Sequence, residues 1–394
     1  VMQVLITGAG GGLGGPPSPY ALAQRGHELE VLEQAADFSE VGAGVQLGPN
    51  GVRALRALGL EERITAFSWQ PDGLHMRDGY DGSDVVRLPT GIDFADRYDA
   101  PYFVIHRADL LEILLTACRD HPAINLRNGA RIAGYSEGSG QVVVKVDGSD
   151  AVIADAVIGA DGLRSAIRSQ ITGDGEPPLP RHVVYRGVVP RDMIADHLWS
   201  PSVTMWVGHD ADFVHYPLRR GELFNLVVTF RADRELDPGD VSGSYEDMCA
   251  PFKGFAAEVH ELLELVPHDR RWLVTDRAPT AAWASGRAVL LGDAAHPMLQ
   301  YMTQGACQAL EDTVALRDCL TTAETIEQAF TDYAAQRYRR TARVQLTARQ
   351  FIDICQGDSV LADVRKRFYE DRTVGQLYDG LDWLYKPEAG RRFA

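Results

Sequence analysis

The stretch MQVLITGAGGGLGG, residues 2–15, is an apolar run that breaks into closely spaced glycines. Residues 20–26 then carry helix formers, and HELEVLEQ, residues 27–34, returns to the composition of a strand. Two short apolar runs with a glycine turn and a helical stretch between them predict a β-α-β unit. The chain therefore begins as an α/β fold with a parallel sheet.

Two later segments repeat the order of strand, glycine turn and helix. QVVVKVDGSDAVIADAVIGADG, residues 141–162, contains a hairpin-like turn at Asp147 and Gly148 and ends in an aspartate flanked by glycines. RAVLLGDAAHP, residues 287–297, runs into a helical pattern over residues 305–319. We expect the three segments to belong to one parallel sheet.

The region between the second and third segments has a different texture. Residues 181–276 carry Val, Phe, Tyr and Trp at alternating positions, as in SVTMWVG and DFVHYPLRRGE. This alternation predicts a largely antiparallel sheet with one packed face and one face toward a cavity or solvent. Residues 74–100 have the same character, so we expect them to join this sheet.

Composition limits the classes of function. The 394 residues suffice for two interleaved domains, and no run reaches the roughly 18 apolar residues that span a bilayer. The net charge of −16 disfavours nucleic acid and anionic lipid as partners. The five cysteines are scattered without metal-ligand spacing, so no metal site is expected. No leader precedes the first strand, which indicates a cytoplasmic enzyme.

The first glycine turn can be interpreted as a GxGxxG motif at Gly10, Gly12 and Gly15. Such a motif lets the backbone approach a pyrophosphate at a helix N-terminus. Glu33 follows it in the sequence at the separation of about 20 residues where a carboxylate accepts hydrogen bonds from the ribose hydroxyls. Three prolines follow at once, at Pro16, Pro17 and Pro19. Proline is tolerated only in a first helical turn, so the helix begins late or is irregular there.

The segments GADGLRSAIR, residues 159–168, and GRAVLLGDAAHPMLQYMTQGACQALEDTVAL, residues 286–316, are more specific. They resemble the DG and GD fingerprints of the class A flavoprotein monooxygenases, the family of para-hydroxybenzoate hydroxylase and salicylate hydroxylase. Family-like stretches also occur at residues 42–60 and in the late DWLY, residues 382–385. The resemblance covers almost the whole chain.

This resemblance implies an FAD-dependent aromatic hydroxylase. It assigns Asp293 to the FAD ribityl chain, Asp161 to FAD and reduced nicotinamide together, and Arg107 to the FAD diphosphate region. The other cofactor-binding residues expected from the family-like segments are Gln46, Gly305 and Ala306. NADH or NADPH would bind transiently as co-substrate, and a flavin C4a-hydroperoxide would transfer a hydroxyl group to a small aromatic acid.

The predicted domains follow from the resemblance together with the sheet patterns. They are a Rossmann-like FAD-binding domain of residues 1–73, 101–180 and 277–345, an inserted antiparallel-sheet substrate domain of residues 74–100 and 181–276, and a C-terminal helical segment of residues 346–394.

Within the family the chain is most similar to 3-hydroxybenzoate 6-hydroxylase, salicylate hydroxylase and 6-hydroxynicotinate monooxygenase. Several of these have histidine at the position of Asp212, and this sequence departs from them there. Strand alternation places Asp212 on the same face as Tyr216 and His215 on the opposite face. The catalytic candidates stay open as Tyr216, His215, Asp212 and Gln300. The substrate-binding candidates are Asp78, Arg186, Tyr216, Gln300 and Pro297.

Alternative functions also remain open. One is a flavin-dependent epoxidase or a hydroxylase of a larger natural product, and another is a noncatalytic flavin-binding protein. An NAD-dependent dehydrogenase would need no GD fingerprint, and a flavin halogenase usually has a W-x-W-x-I-P segment that this sequence lacks. Related enzymes are often dimers, which keeps a homodimer among the expectations.

Overall fold

The protein is described here from a computed structural model that covers residues 1–8, 15–37, 43–357 and 359–388. Its strands in these residues, in chain order, are β1 (Gln3–Thr7), β2 (Glu28–Leu32), β3 (Gly44–Leu47), β4 (Gly73–Asp78), β5 (Asp84–Pro89), β6 (Phe103–His106), β7 (Ile124–Arg127), β8 (Ile132–Gly138), β9 (Gln141–Val146), β10 (Val152–Ala154), β11 (Ala156–Gly159), β12 (His182–Pro190), β13 (Val203–Gly208), β14 (Ala211–Leu218), β15 (Leu223–Arg231), β16 (Trp272–Val274), β17 (Ala284–Ser285) and β18 (Ala288–Leu290).

The helices are named in the same way. They are α1 (Pro17–Ala23), α2 (Pro49–Ala57), α3 (Glu61–Phe67), α4 (Ile92–Tyr98), α5 (Arg107–Arg119), α6 (Ala166–Thr172), α7 (Tyr245–Cys249), α8 (Ala257–Leu263), α9 (Gly305–Thr322), α10 (Ile326–Gln356), α11 (Ser359–Glu370), α12 (Val374–Asp379) and α13 (Asp382–Tyr385). No helix in the described part of the chain is both long and apolar enough to cross a membrane.

The first sheet has six strands in the order β17-β18-β11-β1-β2-β7. All its neighbouring strands are parallel except β17 and β18. The central strands are apolar on both faces because helices cover the sheet, and the cluster around Val4, Val157 and Val289 is fully buried. This architecture confirms the predicted Rossmann-like α/β fold and places the carboxyl ends of β1, β11 and β18 at one edge.

The second sheet has seven strands in the order β16-β12-β15-β14-β13-β4-β5. Its neighbours are antiparallel except β13 and β4, so it is largely antiparallel. Of residues 74–100, which we expected in this sheet, only those up to Pro89 join it, and Ile92–Tyr98 forms α4 instead. We call the face that carries Tyr216 the front face and the one that carries His215 the rear face. The rear face packs against α7 and α8 through Phe213, Val259 and Leu262.

The long helix α10 runs through 31 residues and connects the two sheets. It contacts α9 beside the first sheet and β13 and β14 of the second. The boundary proposed between residues 345 and 346 falls inside this helix, so α10 joins the proposed domains there. The rest of the proposed division stays a proposal.

Candidate functional site

The turns after β1 and β11 approach each other closely at the carboxyl edge of the six-stranded sheet. Gly8 has a positive φ of 82°, and a Cβ atom at this position would lie 2.4 Å from Cα of Asp161. Only glycine fits there, because both the backbone conformation and the space exclude a side chain. Ligands of open α/β sheets bind at this edge, so the predicted motifs surround one place.

The N-terminal motif is only partly described. Gly10 and Gly12 lie outside the described residues, and the Gly15 carbonyl accepts a hydrogen bond from the Ser18 amide at 3.3 Å. Pro16 is the N-cap residue of α1, and the helix begins at Pro17. All three prolines therefore lie at the cap or in the first turn, where proline removes no helical hydrogen bond.

Glu33 follows directly after β2 and is buried, with 3% exposure. Its Oε1 accepts a hydrogen bond from the Ala35 amide at 2.8 Å, and its own amide donates to the Arg127 carbonyl. These bonds hold the carboxylate at the end of the second parallel strand, and its contact with a ribose stays a proposal.

Asp161 holds the loop between β11 and α6. Its carboxylate accepts hydrogen bonds from Ser165 Oγ at 2.5 Å and from the Ala166 amide at 2.9 Å. Burial raises the pKa of this carboxyl, and the hydrogen bonds from Ser165 and the backbone lower it. The side chain stabilises the start of α6, and its predicted contact with FAD and nicotinamide stays a proposal.

Asp293 lies in a deep cleft. Its side chain is exposed, yet the surrounding protein raises the pKa of its carboxyl by desolvation, while His296 and Arg107 lower it. A side chain with both properties lines a cleft rather than the outer surface. Burial, followed by the charge of Arg186, lowers the pKa of Arg107 to about 10, and Asp293 opposes this shift. The structure thus brings Asp293, Arg107 and Arg186 together from three distant segments.

The N-terminus of α9 also opens on this cleft. A Cβ atom at Gly305 would lie 4.0 Å from Oδ1 of Asp293, and no side chain caps the helix. Gly305 and Ala306 are both partly exposed, so their first-turn amides, which have no partner within the helix, are available to an anionic ligand. Gln46 faces the same region, where its Oε1 accepts a hydrogen bond from Tyr102 at 2.7 Å. This set of groups fits a dinucleotide with a pyrophosphate.

The front face of the second sheet carries the polar candidates for substrate. The Tyr216 ring lies against the backbone of β3, with its hydroxyl oxygen 2.5 Å from where a Cβ of Gly44 would be. The charge of Tyr216 affects the pKa of Arg186, which burial lowers, so these two side chains are neighbours. Both polar atoms of the Gln300 amide are buried and have no hydrogen-bond partner in the described residues.

Asp212 belongs to a buried hydrogen-bond network. Gln356 Nε2 donates to Asp212 Oδ1 at 2.6 Å and to the Tyr301 hydroxyl at 3.0 Å, and that hydroxyl lies 3.0 Å from His182 Nδ1. Burial raises the pKa of Asp212 to about 7, while the hydrogen bond from Gln356 lowers it. A carboxyl group with a pKa near neutrality can exchange a proton under ordinary conditions.

Two sequence-based candidates lie elsewhere. His215 is on the rear face, where it accepts a hydrogen bond from Trp206 Nε1 at 3.1 Å and packs beside Phe224, so the sheet separates it from the front face. Asp78 lies at the end of β4, and its Oδ1 accepts hydrogen bonds from the amides of Tyr80 and Asp81. We therefore remove His215 from the catalytic candidates and Asp78 from the substrate-binding candidates.

The structure adds supporting residues that sequence reasoning missed. The buried Arg168 donates to the carbonyls of Ala294 and Ala295, both at 2.9 Å, and so connects the DG segment to the GD loop. Pro297, in the same loop, accepts a hydrogen bond from Gln345 at 2.9 Å. Arg168 lies inside the DG segment itself, so its position was a signal that could have pointed to it.

A second set of buried side chains makes hydrogen bonds that hold the GD loop, the segment that contains Gly292 and Asp293. Asp312 Oδ2 lies 2.5 Å from His296 Nε2 and accepts a hydrogen bond from the Gly292 amide at 3.1 Å. Arg337 of α10 donates to Asp312 Oδ1 at 2.7 Å. His296 therefore supports the backbone of the loop.

Comparisons with known proteins agree with this geometry. A family model described as "FAD binding domain" matches residues 1–347. The chain is 39% identical to 3-hydroxybenzoate 6-hydroxylase of Polaromonas naphthalenivorans, over 100% of this chain and 98% of that protein. It is 37% identical to the protein of the same name from Klebsiella oxytoca, over 98% and 96% of the two chains.

Solved structures share the fold. Klebsiella pneumoniae HpxO complexed with FAD and uric acid superposes with a TM-score of 0.85 and 26% identity, over 98% of this chain and 97% of that one. A salicylate hydroxylase substrate complex has a TM-score of 0.81 at 23% identity, over 100% and 97% of the two chains.

Proposed function

The chain belongs to the FAD-binding-domain family of aromatic-ring hydroxylases, and from this membership we propose that its substrate is a small phenolic acid of the 3-hydroxybenzoate class. It is an FAD-dependent aromatic monooxygenase, with NAD(P)H and O2 as co-substrates. The proposed reaction converts 3-hydroxybenzoate, NAD(P)H, H⁺ and O2 into 2,5-dihydroxybenzoate, NAD(P)⁺ and water.

The observation that carries the substrate proposal is the environment of Arg186. Its side chain lies on the front face beside Tyr216, and its Nε is buried without a hydrogen-bond partner in the described residues. A half-buried guanidinium with an unpaired N–H group is a strong hydrogen-bond donor to a carboxylate. The ring of a hydroxybenzoate would then lie along the front face, between Tyr216 and Gln300.

Asp212 is the proposed base for the phenol. Its raised pKa, about 7, suits a carboxylate that accepts a proton from a phenol, whose ordinary pKa is about 10. Removal of that proton increases the electron density at the position para to the hydroxyl, which is carbon 6 of 3-hydroxybenzoate. The bound FAD supplies the activation of O2. Gln300, Tyr216 and Pro297 would orient the ring and help exclude water.

The cofactor would be held by the residues around the cleft. We assign the ribityl chain to Asp293, the diphosphate to Arg107 and the amides of Gly305 and Ala306, and the ribose to Glu33. Gln46 and Asp161 complete the proposed set, together with the turn that includes Gly15 and, outside the described residues, Gly10 and Gly12. The uncapped N-terminus of α9 and the depth of the cleft at Asp293 support this assignment.

A substrate screen tests the proposed function. The purified holoenzyme is mixed with NADH or NADPH and with 3-hydroxybenzoate, salicylate, 4-hydroxybenzoate or a hydroxypyridine carboxylate. We expect 3-hydroxybenzoate to accelerate NAD(P)H oxidation and to yield one dihydroxybenzoate for each nucleotide consumed. Hydrogen peroxide as the main product with every phenolic acid would refute the substrate class and leave the flavin site intact.

The assembly and location stay proposals as well. We propose a cytoplasmic homodimer, and the exposed apolar side chains of Val360, Val364 and Phe368 on α11 support an association surface. Light scattering on the purified chain measures the mass directly, and a monomer at micromolar concentration would exclude the dimer.

A further inference from the structure

A second cavity lies behind the substrate-binding sheet, on its rear face. It has a volume of about 360 Å³ and is lined by residues of β4, β13 and β14, by the loop after β12, and by α8. We call it the rear cavity, and its central wall residues are His75, Arg77, Trp199, Trp206 and His215. Its volume lies in the range of small-molecule sites, about 300–1,000 Å³. The sheet itself separates it from the front face.

The rear cavity contains a buried hydrogen-bond donor that lacks an acceptor. Trp206 Nε1 donates to His215 Nε2 at 3.1 Å, so this nitrogen accepts and the proton of the neutral ring is on Nδ1. Burial, assisted by the charge of Arg77, lowers the pKa of His215 to about 3, which keeps the ring neutral. His215 is only 2% exposed, and its Nδ1 has no partner among the described residues.

The rear cavity has a second buried hydrogen-bond donor that lacks an acceptor. The indole N–H of Trp199 is also buried without a hydrogen-bond partner in the described part of the chain. Buried donors are ordinarily satisfied, so two unsatisfied donors in one cavity indicate a ligand that brings acceptor atoms. Sequence reasoning gave no role to Trp199, and His215 lost its catalytic role when the structure placed it on the rear face.

The remaining wall specifies the shape and charge of the ligand. Trp199 is partly exposed and provides an indole ring against which a planar aromatic ring packs well, whereas Trp206 is only 2% exposed. The guanidinium of Arg77 stacks over Trp206 at 4.2 Å from the ring centre. Arg77 and Arg87 face Asp72 and Glu258, so the charged groups of the wall balance. The ligand that fits is a small planar ring with oxygen acceptors and at most one charge.

We propose that the rear cavity binds a second molecule of a small aromatic acid, with its ring against the indole of Trp199 and an oxygen accepting the Nδ1–H of His215. The identity of the ligand rests on the proposed function, because hydroxybenzoates are the aromatic acids that this enzyme would encounter. The binding itself is separate from turnover, since no residue of the rear cavity lies on the front face.

Equilibrium binding tests the proposal on the holoenzyme, with 3-hydroxybenzoate as the probe. Calorimetry counts the bound equivalents, and flavin absorbance reports the front site. Tryptophan fluorescence reports the rear cavity in a Trp272→Phe background, because Trp272 lies beside Arg186 of the front site. We expect two equivalents in the wild type. Trp199→Leu and His75→Leu, each in a different wall, should each lose one equivalent and the fluorescence change, with the flavin response, kcat and KM unchanged.

A matched control separates this proposal from the proposed function. Arg186→Met should lose the equivalent that changes flavin absorbance and keep the one that changes tryptophan fluorescence. If 3-hydroxybenzoate is not the substrate, the flavin response fails while one equivalent still binds in the rear cavity. The proposal would be overturned if Trp199→Leu and His75→Leu both bind as many equivalents of 3-hydroxybenzoate as the wild type, whether that number is one or two.

Discussion

At the scale of single residues, the carboxyl group of Asp212 shows how burial sets chemistry. It is 2% exposed, and its pKa of about 7 lies above the ordinary Asp value of about 4 in an unfolded chain. The folded protein therefore holds more protons than the unfolded chain between these two pH values. The stability that this group contributes is complete below pH 4 and is lost as the pH rises through 7.

Asp212→Asn should remove this pH dependence. The amide oxygen can still accept the hydrogen bond from Gln356, and no buried charge forms at high pH. We expect the variant to gain on the order of 1–3 kcal/mol relative to wild type between pH 5 and pH 8.5. Thermal unfolding of both proteins at the two pH values measures the difference. An equal difference at both values would show that Asp212 does not titrate in this range.

Gln356 should set the pH at which Asp212 becomes active as a base. Its Nε2 donates to Asp212 Oδ1 at 2.6 Å, and a hydrogen bond to a charged group contributes about 1.5–3 kcal/mol. Gln356→Leu should therefore raise the acidic limb of the pH–rate profile by about one to two units. Tyr301→Phe is the control, since it keeps this hydrogen bond. If the pH–rate profile of Gln356→Leu is not shifted, Gln356 does not control the pKa of the catalytic base.

Some of the site residues could be found in the sequence and others could not. Asp293 and Asp161 follow strands directly and are flanked by glycines, a local pattern with a known spatial meaning. Gln356 contacts Asp212 across 144 residues of sequence, and nothing near either residue signals that pairing. Strand alternation placed Asp212 and His215 on opposite faces of the sheet and left the base open, and in the structure His215 contacts Trp206 on the rear face.

At the scale of elements, α10 supports the cofactor loop from behind. Arg337 donates a hydrogen bond to Asp312 at 2.7 Å, and Asp312 in turn accepts a hydrogen bond from the Gly292 amide of the GD loop.

The first turn of α1 shows that a sequence pattern can also suggest a disruption that the structure does not have. Its prolines look disruptive in sequence, yet they occupy the cap and first-turn positions where proline fits.

Arg337→Met should weaken both the fold and FAD retention. The substitution removes the buried ion pairs from Arg337 to Asp312 and Glu311, while His296 still contacts Asp312 and Arg340 still contacts Glu311, so we expect a cost of about 1.5–3 kcal/mol. The GD loop then loses its anchor, so we expect a lower Tm and a higher Kd for FAD, measured by unfolding and by flavin fluorescence. Arg339→Met, at an exposed position on the same helix, should change neither. If Arg337→Met binds FAD with the same affinity as the wild type, the contacts of Arg337 contribute to the stability of the fold and not to FAD binding.

At the scale of the whole molecule, the C-terminal helices close the structure over the front face. Arg340 donates to the carbonyls of Trp383 and Leu384, and the Tyr98 hydroxyl donates to the Tyr378 carbonyl at 2.6 Å. Tyr385 packs against Gly48 in the loop before α2. The late DWLY segment thus has a structural reason to resemble the family, which sequence alone could not supply.

Removal of residues 374–394 should therefore disturb the site as well as the tail. We expect the truncated chain to lose most of its bound FAD and to unfold at lower temperature, because Tyr98 loses the Tyr378 carbonyl and Arg340 loses the carbonyls of Trp383 and Leu384. Arg97→Gln, which removes only the partly exposed ion pairs to Asp379 and Asp382, should cost about 1 kcal/mol or less. Full FAD occupancy in the truncated chain would show that the tail is dispensable for the cleft.

The architecture was predictable at this scale because each unit has its own local pattern, strand-turn-helix in one sheet and alternation in the other. The rear cavity was not, because its wall is assembled from β4, the loop after β12, β14 and α8. No local pattern indicates which side chains of an alternating sheet will be left without partners.

The strand order of the first sheet has a consequence for synthesis of the protein on the ribosome. Residues 4–7 pair with residues 156–159, and residues 157–159 pair in turn with residues 288–290. Because synthesis adds about 5–20 residues per second, the last strands of this sheet are made on the order of tens of seconds after the first strand. The nascent chain must keep these apolar edges from aggregating during that interval, and FAD has no complete cleft to enter until α9 has emerged. Nascent chains arrested with residue 280 outside the ribosome should be cleaved rapidly by protease, and those with residue 394 outside should be resistant.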